Sequence, residues 1–249
     1  MKLFLHELRA EQRLFWRSRE AAFFTFLLPI IFLVLLGSVY GDDRINGLNG
    51  STYLLAGLIG YGIVATAFAG LAITLVIRRE AGVLKRVRGT PLPAWVYLCA
   101  VIVSTLVVIA LETVLQILIG RYVLDARWPA SPVSLAIAVL VGAAAFAALG
   151  LAITALVRTS EGSSAVVNAI YLPMVFISGV FFSVKSMPGF LQAIADILPL
   201  TYLLRLVRDL FVRGGSLTSE PGSLTVLAVW GVVGAVIAVR MFRWEPREE

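Results

Sequence analysis

The sequence contains one cysteine, Cys99, one histidine, His6, and three lysines, Lys2, Lys85 and Lys185. One cysteine inside an apolar run excludes a disulfide framework or a cysteine-rich metal site, and one histidine excludes an imidazole cluster. No lysine follows a glycine, so a G-x-x-x-x-G-K-[ST] phosphate loop is impossible. There is no G-x-S-x-G elbow, no H-E-x-x-H and no carboxylate cluster inside an apolar run, which leaves hydrolase and phosphotransferase chemistry without its parts. Charge itself is scarce. Only 14% of the 249 residues are Asp, Glu, Lys or Arg, against about 25% in soluble domains, too few to cover a water-facing surface.

What is present is hydrocarbon. The chain is 59% hydrophobic with a mean hydropathy of +0.93, and several apolar runs reach the ~20 residues that span a bilayer as helix. These features predict an all-α integral membrane protein with six transmembrane helices at 22–40, 53–77, 94–120, 133–157, 163–182 and 223–241. Pro29 and Pro173 fall inside the first and fifth. The polar, basic stretch before the first run, and the lack of an A-x-A site after it, mark that run as a retained span rather than a cleaved signal.

The net charge is +6 and the pI about 9.8, but the basic residues sit at the ends of apolar runs, where they orient a membrane protein rather than bind nucleic acid. Fourteen of the twenty-one Lys and Arg residues fall on one side: before the first span, in 78–93, at Arg158 and in the tail 242–249 with its boundary Arg240. The richer side is cytoplasmic, which places both termini inside.

Two segments are neither spans nor plain loops. In 1–20, an amphipathic interfacial helix is expected, with Phe4, Leu5, Leu8, Phe15 and Trp16 on one arc and Glu7, Arg9, Arg13 and Arg17 opposite. In 183–222, Pro188 and Pro199 divide the chain into two short pieces that read as outer re-entrant helices. Leu203, Val207, Leu210 and Phe211 form one face of the second piece, with Arg205, Asp209 and Arg213 at i, i+4 spacing on the other. Glu112 is the one carboxylate well inside a span. It reads either as a polar contact on a transport route, or partner of Arg205 or Arg208, or as an outer-end carboxylate snorkelling to water. One such residue is thin support for an ion-coupled pump, which needs acidic groups near the midplane.

The loop 78–93 carries five basic residues, Arg78, Arg79, Lys85, Arg86 and Arg88, together with Glu80 and an apolar ridge of Val83, Leu84 and Val87. A positive-inside anchor needs the charges alone, whereas a docking helix uses charges, ridge and acid together. The run E-x-G-x-L-K-R-x-R-x-T-P-L-P, Glu80 to Pro93, resembles the cytoplasmic loop after the second span of ABC-2-type transporter permeases. N-A-I-Y-L-P-M-V-F-I-S-G-V-F-F, Asn168 to Phe182, followed by M-P at Met187–Pro188 and L-P-L-T-Y at Leu198–Tyr202, is similar to the C-terminal signature of the daunorubicin-resistance type.

The resemblance implies one transmembrane permease domain over 1–249, spans one to five occupying 22–182 and the last 223–241. It has no nucleotide site of its own, dimerises with a second permease protomer, and is driven by an ATP-hydrolysing subunit that binds ATP and Mg. Glu80 to Arg88 would form the coupling helix, with Arg78 and Arg79 also among the ATPase-coupling residues and Phe4, Leu8, Phe15 and Trp16 of the leading helix nearby. The export path or dimer interface would involve Phe26, Pro29, Glu112, Asn168, Pro173, Phe176, Ser178 and Gly179. Pro188, Pro199, Tyr202, Arg205 and Arg208 would shape the outer helices. The aromatic first and fifth spans suit an apolar or amphipathic cargo, a drug-like molecule or lipid, exported across a bacterial inner membrane. Alternatives are a polysaccharide or lipid-linked glycan cargo, an ATPase-independent transporter or channel, and a structural subunit.

Overall fold

A computed structural model describes residues 2–41, 43–157, 159–212, 220–242 and 244–245. Among the described residues ten α-helical segments form a bundle: α1 (Lys2–Arg17), α2 (Arg19–Tyr40), α3 (Gly50–Glu80), α4 (Val83–Arg88), α5 (Ala94–Leu124), α6 (Pro132–Ile153), α7 (Ser160–Ile177), α8 (Gly189–Ala195), α9 (Pro199–Val212) and α10 (Pro221–Met241). Arg158, Arg213 and the tail beyond Glu245 lie outside the described residues.

Five of these helices, α2, α3, α5, α6 and α10, are long and apolar enough to cross a membrane. The expected fifth span is shorter than predicted. Its helix, α7, ends at Ile177, because Gly179 adopts a left-handed φ of +88° and turns the chain before Phe182. The predicted outer pieces are α8 and α9, bent by 83° across their break. Pro188 precedes the first and Pro199 opens the second, as expected of a residue that lacks a donor but fits a helix's first turn.

Each boundary has a local cause. Ser18 caps α2, its Oγ accepting from the Ala21 N–H. Pro29 follows a π-helical turn, Phe23–Leu27, where the widened backbone accommodates the ring inside a continuing helix. Between α2 and α3 a two-residue turn, Asn46–Gly47, with φ of 53° and 81°, closes a small antiparallel hairpin of Arg44–Ile45 and Leu48–Asn49. Asn-Gly between short extended runs is a strong hairpin signal in the sequence itself.

Helix α3 is the axis of the bundle, and its first half is buried almost continuously. Glycines allow neighbours to reach its backbone. Gly57 faces the Val180 carbonyl, Gly60 faces Leu204 of α9, and Gly150 of α6 sits against the Ala67 and Phe68 carbonyls. Close backbone approach through small residues is how helices associate in lipid, where solvent-driven burial contributes little.

Candidate functional site

Three consecutive residues at the end of α3 reach three different parts of the molecule. The Arg78 guanidinium donates to both oxygens of Glu11 on α1, at 2.7 and 2.8 Å, and to the Tyr97 hydroxyl on α5 at 2.8 Å. Arg79 is turned the other way and is only 6% exposed. It donates to the carbonyls of Thr154 (2.9 Å), which caps the C-terminus of α6, and Val157 (2.6 Å), in the turn that follows. The Glu80 carboxylate accepts from the Ser160 N–H at the start of α7. An anion at a helix N-terminus and a cation at a C-terminus each follow the helix dipole. The Arg-Arg-Glu run therefore ties α3 to α1, α5, α6 and α7.

The expected coupling residues thus divide into two groups. Arg78, Arg79 and Glu80 serve as internal ties. The apolar ridge also faces inward: Leu84 is 0% exposed, and Val83 and Val87 are half-buried. Only Lys85, Arg86 and Arg88 project outward from α4. The predicted Glu80–Arg88 helix is also broken. Glu80 ends α3, Gly82 takes a left-handed φ of +70°, and α4 starts at Val83. Glycine is the residue that allows so sharp a turn.

Helix α1 is rotated from the expected amphipathic arrangement. Phe4, Leu8 and Phe15 face the bundle, but so do Glu7, Glu11 and Gln12, while Leu5 and Trp16 are exposed. Gln12 donates to the Ser104 carbonyl and hydroxyl on α5, at 3.0 and 2.9 Å. The Arg78–Glu11 pair and this amide set the rotation, overriding the apolar moment. Trp16 stacks on Phe26 with ring centroids 5.4 Å apart, joining α1 to the first span. Glu11, Gln12, Tyr97 and Ser104 were not singled out from the sequence. A polar residue on an amphipathic helix has no sequence mark that separates a buried tie from a solvated one.

The residues expected along a path or dimer interface do not form one site. Phe26 belongs to the α1 contact and Pro29 is buried within α2. Asn168 is half-buried, and Pro173 and Phe176 lie on an exposed face of α7. Glu112 is 2% exposed, which overturns the snorkelling reading. Nor does it pair with the outer arginines: Gln116 donates to its Oε1 at 2.9 Å, its Oε2 has no partner among the described residues, and Gly62 faces the carboxylate.

Arg205 instead pairs with Asp196 at 2.5 Å and lies over the Tyr202 ring, whose hydroxyl donates to the Asp196 carbonyl. These contacts staple the α8–α9 bend. Arg208 lies 3.7 Å from the centroid of the Tyr53 ring and donates to the Gly179 carbonyl at 2.6 Å. The Tyr53 hydroxyl donates to the same carbonyl and to that of Phe182. Ser178, Gly179 and Arg208 are thus brought together at the hairpin end of the bundle by Tyr53, which the sequence reading did not select.

The chain matches the ABC-2 type transporter family over residues 2–212. It is 26% identical over 210 residues to a Bacillus subtilis (strain 168) protein named as a transport permease, YvfS, covering 84% of this chain and 85% of that protein. It is also 26% identical over 200 residues to Nodulation protein J of Sinorhizobium fredii, covering 78% of this chain and 74% of the relative. An Escherichia coli (strain K12) protein named as a multidrug ABC transporter permease, YbhR, is 23% identical over 172 residues, which are 69% of this chain but 47% of the relative.

Proposed function

The chain belongs to the ABC-2 type transporter family and is a transmembrane ABC transporter permease, and on that premise we propose that it forms half of an exporter driven by a separate ATPase subunit. That partner would bind ATP and Mg and seat on α4. The observation that carries this reading is the division of the 78–88 run. Lys85, Arg86 and Arg88 form an exposed basic edge on a short helix. The neighbouring Arg78, Arg79 and Glu80 bind the same segment to α1, α5, α6 and α7. A displacement of α4 would be delivered to several helices at once, through charge-assisted hydrogen bonds rather than a flexible loop.

In this reading the α1–α4 end faces the cytoplasm of a bacterial inner membrane, which the excess of basic residues there supports. A second protomer would cover the unpartnered apolar faces of α2 (Phe23, Phe24, Ile31) and α7 (Ile170, Leu172, Phe176), all exposed in the single chain. The cargo is amphipathic, either drug-like or a lipid. The test is co-purification and transport. Replacement of Lys85, Arg86 and Arg88 by Glu should release a stoichiometric ATPase partner and abolish ATP-driven export from reconstituted vesicles. Full coupling in that variant would sink the proposal, and so would export without any ATPase.

A further inference from the structure

The inward rotation of α1 sorts its charges. Glu7 and Glu11, the only carboxylates of this helix, are turned toward the bundle, where Arg78 holds Glu11. Lys2, Arg9, Arg13 and Arg17 are left on the opposite face, all exposed. They stand at i, i+7, i+11 and i+15, which places them within about 80° of one another around the helix. Leu5 and Trp16 flank this stripe and are exposed as well. No described residue pairs with any of the four cations. Glu20, the nearest acid beyond the helix, accepts instead from the Ser18 hydroxyl at 3.4 Å.

The depth of α1 makes these cations costly. Gln12 bonds to Ser104, ten residues into α5, or about 15 Å from the end of that helix at 1.5 Å per residue. Helix α5 has 31 residues, or about 46 Å, which matches the about 40–45 Å of a bilayer with its headgroups. In the orientation proposed above, Ser104 therefore lies where the inner headgroups give way to acyl chains. Arg13 follows Gln12 and is turned out of the bundle. A guanidinium at that level, with no carboxylate beside it, needs an anion. Arginine and lysine side chains are long enough to carry their charge up to the headgroup layer, where phosphates supply one. Trp16, stacked on Phe26 of the first span, stands at the same end of α1, as indole does at membrane interfaces.

The stripe and its flank together select the partner. A soluble anion would pair with the arginines and leave Leu5 and Trp16 uncovered. A lipid covers both, with phosphate on the cations and acyl chains on the apolar flank. A zwitterionic headgroup brings its own cation and offsets none of the four charges, whereas an anionic one does. We propose that the Lys2, Arg9, Arg13 and Arg17 face of α1 binds the phosphodiester headgroups of anionic phospholipids in the cytoplasmic leaflet. Glu11 on the inner side of the same helix holds Arg78, so membrane charge acts on the end of α3 that leads into α4. The inference rests on the export reading only for the orientation of the chain.

The test uses the full chain in phosphatidylcholine nanodiscs without ATPase, carrying equal traces of photoreactive phosphatidylglycerol or photoreactive phosphatidylcholine. Phosphatidylglycerol should label the peptides of α1 in preference to phosphatidylcholine. A basic side chain near an anionic surface contributes about fivefold to such a preference, so Arg9→Gln, Arg13→Gln and Arg17→Gln should each lower it by about that factor. Lysine at the same positions should retain it, because the headgroup layer responds to charge. The melting temperature in detergent should not fall, since all three side chains are exposed. A melting temperature that falls with the labelling would assign the arginines to packing and overturn the proposal. Equal labelling by the two lipids would do the same, since it would mean only that α1 lies at the membrane surface. So would labelling indifferent to the substitutions, or competition by soluble glycerol phosphate, which would mark a site for a free anion. Because no ATPase is present, the lipid assignment can fail while partner docking on α4 stands, and the reverse.

Discussion

Arg78 grips Glu11 with a two-pronged guanidinium–carboxylate contact at 2.7 and 2.8 Å, across 67 residues of sequence. Both side chains are largely shielded, so loss of one leaves the other charged and unpaired. Removing one partner of a buried pair costs about 3 kcal/mol, or about a hundredfold in a local opening equilibrium. Arg78→Ala should therefore speed amide exchange throughout α1 by that order, while α5 keeps its protection. Arg78→Lys should recover little, because an ammonium cannot present the planar fork. Hydrogen exchange of the two helices, followed by mass spectrometry, checks both expectations.

The same helix should undock with a pH dependence set by Glu7. Partial burial, and the neighbouring Glu11, raise its pKa above the ordinary carboxylate value, while His6 and Arg78 pull it down. An acid whose pKa is higher in the docked state favours docking below that pKa and opposes it as pH rises through it. Glu7→Gln should remove this dependence. Exchange in α1 should be slower than in the unmodified protein near neutral pH, and the two should converge as acid protonates Glu7.

Leu84 and its charged neighbours should behave as opposites. Leu84 is fully buried, so Leu84→Asp places a carboxylate where it has no partner and should prevent a stable fold. Leu84→Ala should cost about 2–5 kcal/mol. Charge reversal at exposed Lys85, Arg86 and Arg88 should leave the melting temperature within a few degrees, since surface substitutions change stability by about 0.5 kcal/mol or less. Thermal melts in detergent separate the two classes before any transport assay.

Arg79 should prove structural. Its guanidinium satisfies two carbonyls at the end of α6, and its replacement by Leu would leave both acceptors without that donor. Unmade buried hydrogen bonds cost about 1–3 kcal/mol each. Arg79→Leu should lower the melting temperature and expose the Thr154–Val157 turn to proteolysis, whereas Arg86→Leu should do neither.

The membrane helices were legible because each is a long apolar run, and the basic stretch 78–93 ending in Pro91 and Pro93 made the connection between two of them legible too, but not the break at Gly82 within it. What the sequence concealed was the direction of side chains in charged segments. In Arg78–Arg79–Glu80 three adjacent residues reach four different helices, and composition cannot distinguish this from a solvated anchor. The same blindness hid Glu11, which breaks the amphipathic pattern of α1 because Arg78 waits beneath it. It also turned the Leu84 ridge inward, since an apolar ridge on a six-residue helix fits a partner's groove and its own core equally well. At the hairpin end, Asn46–Gly47 was a readable turn signal, but the meeting of Tyr53 with Arg208 depends on how α3 and α9 cross.

Glu112 and Gly62 form a pair whose coupling can be measured. Glu112 is buried in the bundle, with one oxygen held by Gln116 and the other without a partner among the described residues. Gly62 on α3 faces it, and a methyl group there would run into the carboxylate. In a helix interior glycine is about 1 kcal/mol less favourable than alanine, so Gly62→Ala alone would stabilise α3 if nothing opposed it. Here the carboxylate opposes it, and overpacking of this kind costs about 1–3 kcal/mol. Gly62→Ala should destabilise the protein when Glu112 is present, and should become neutral or stabilising when Glu112 is also replaced by Ala. The double-mutant cycle should give a coupling above about 1 kcal/mol, read from unfolding in detergent. If the two costs simply add, the carboxyl group does not rest against Gly62. A coupling of the expected sign would show that glycine is kept at position 62 to make room for an acid inside the membrane.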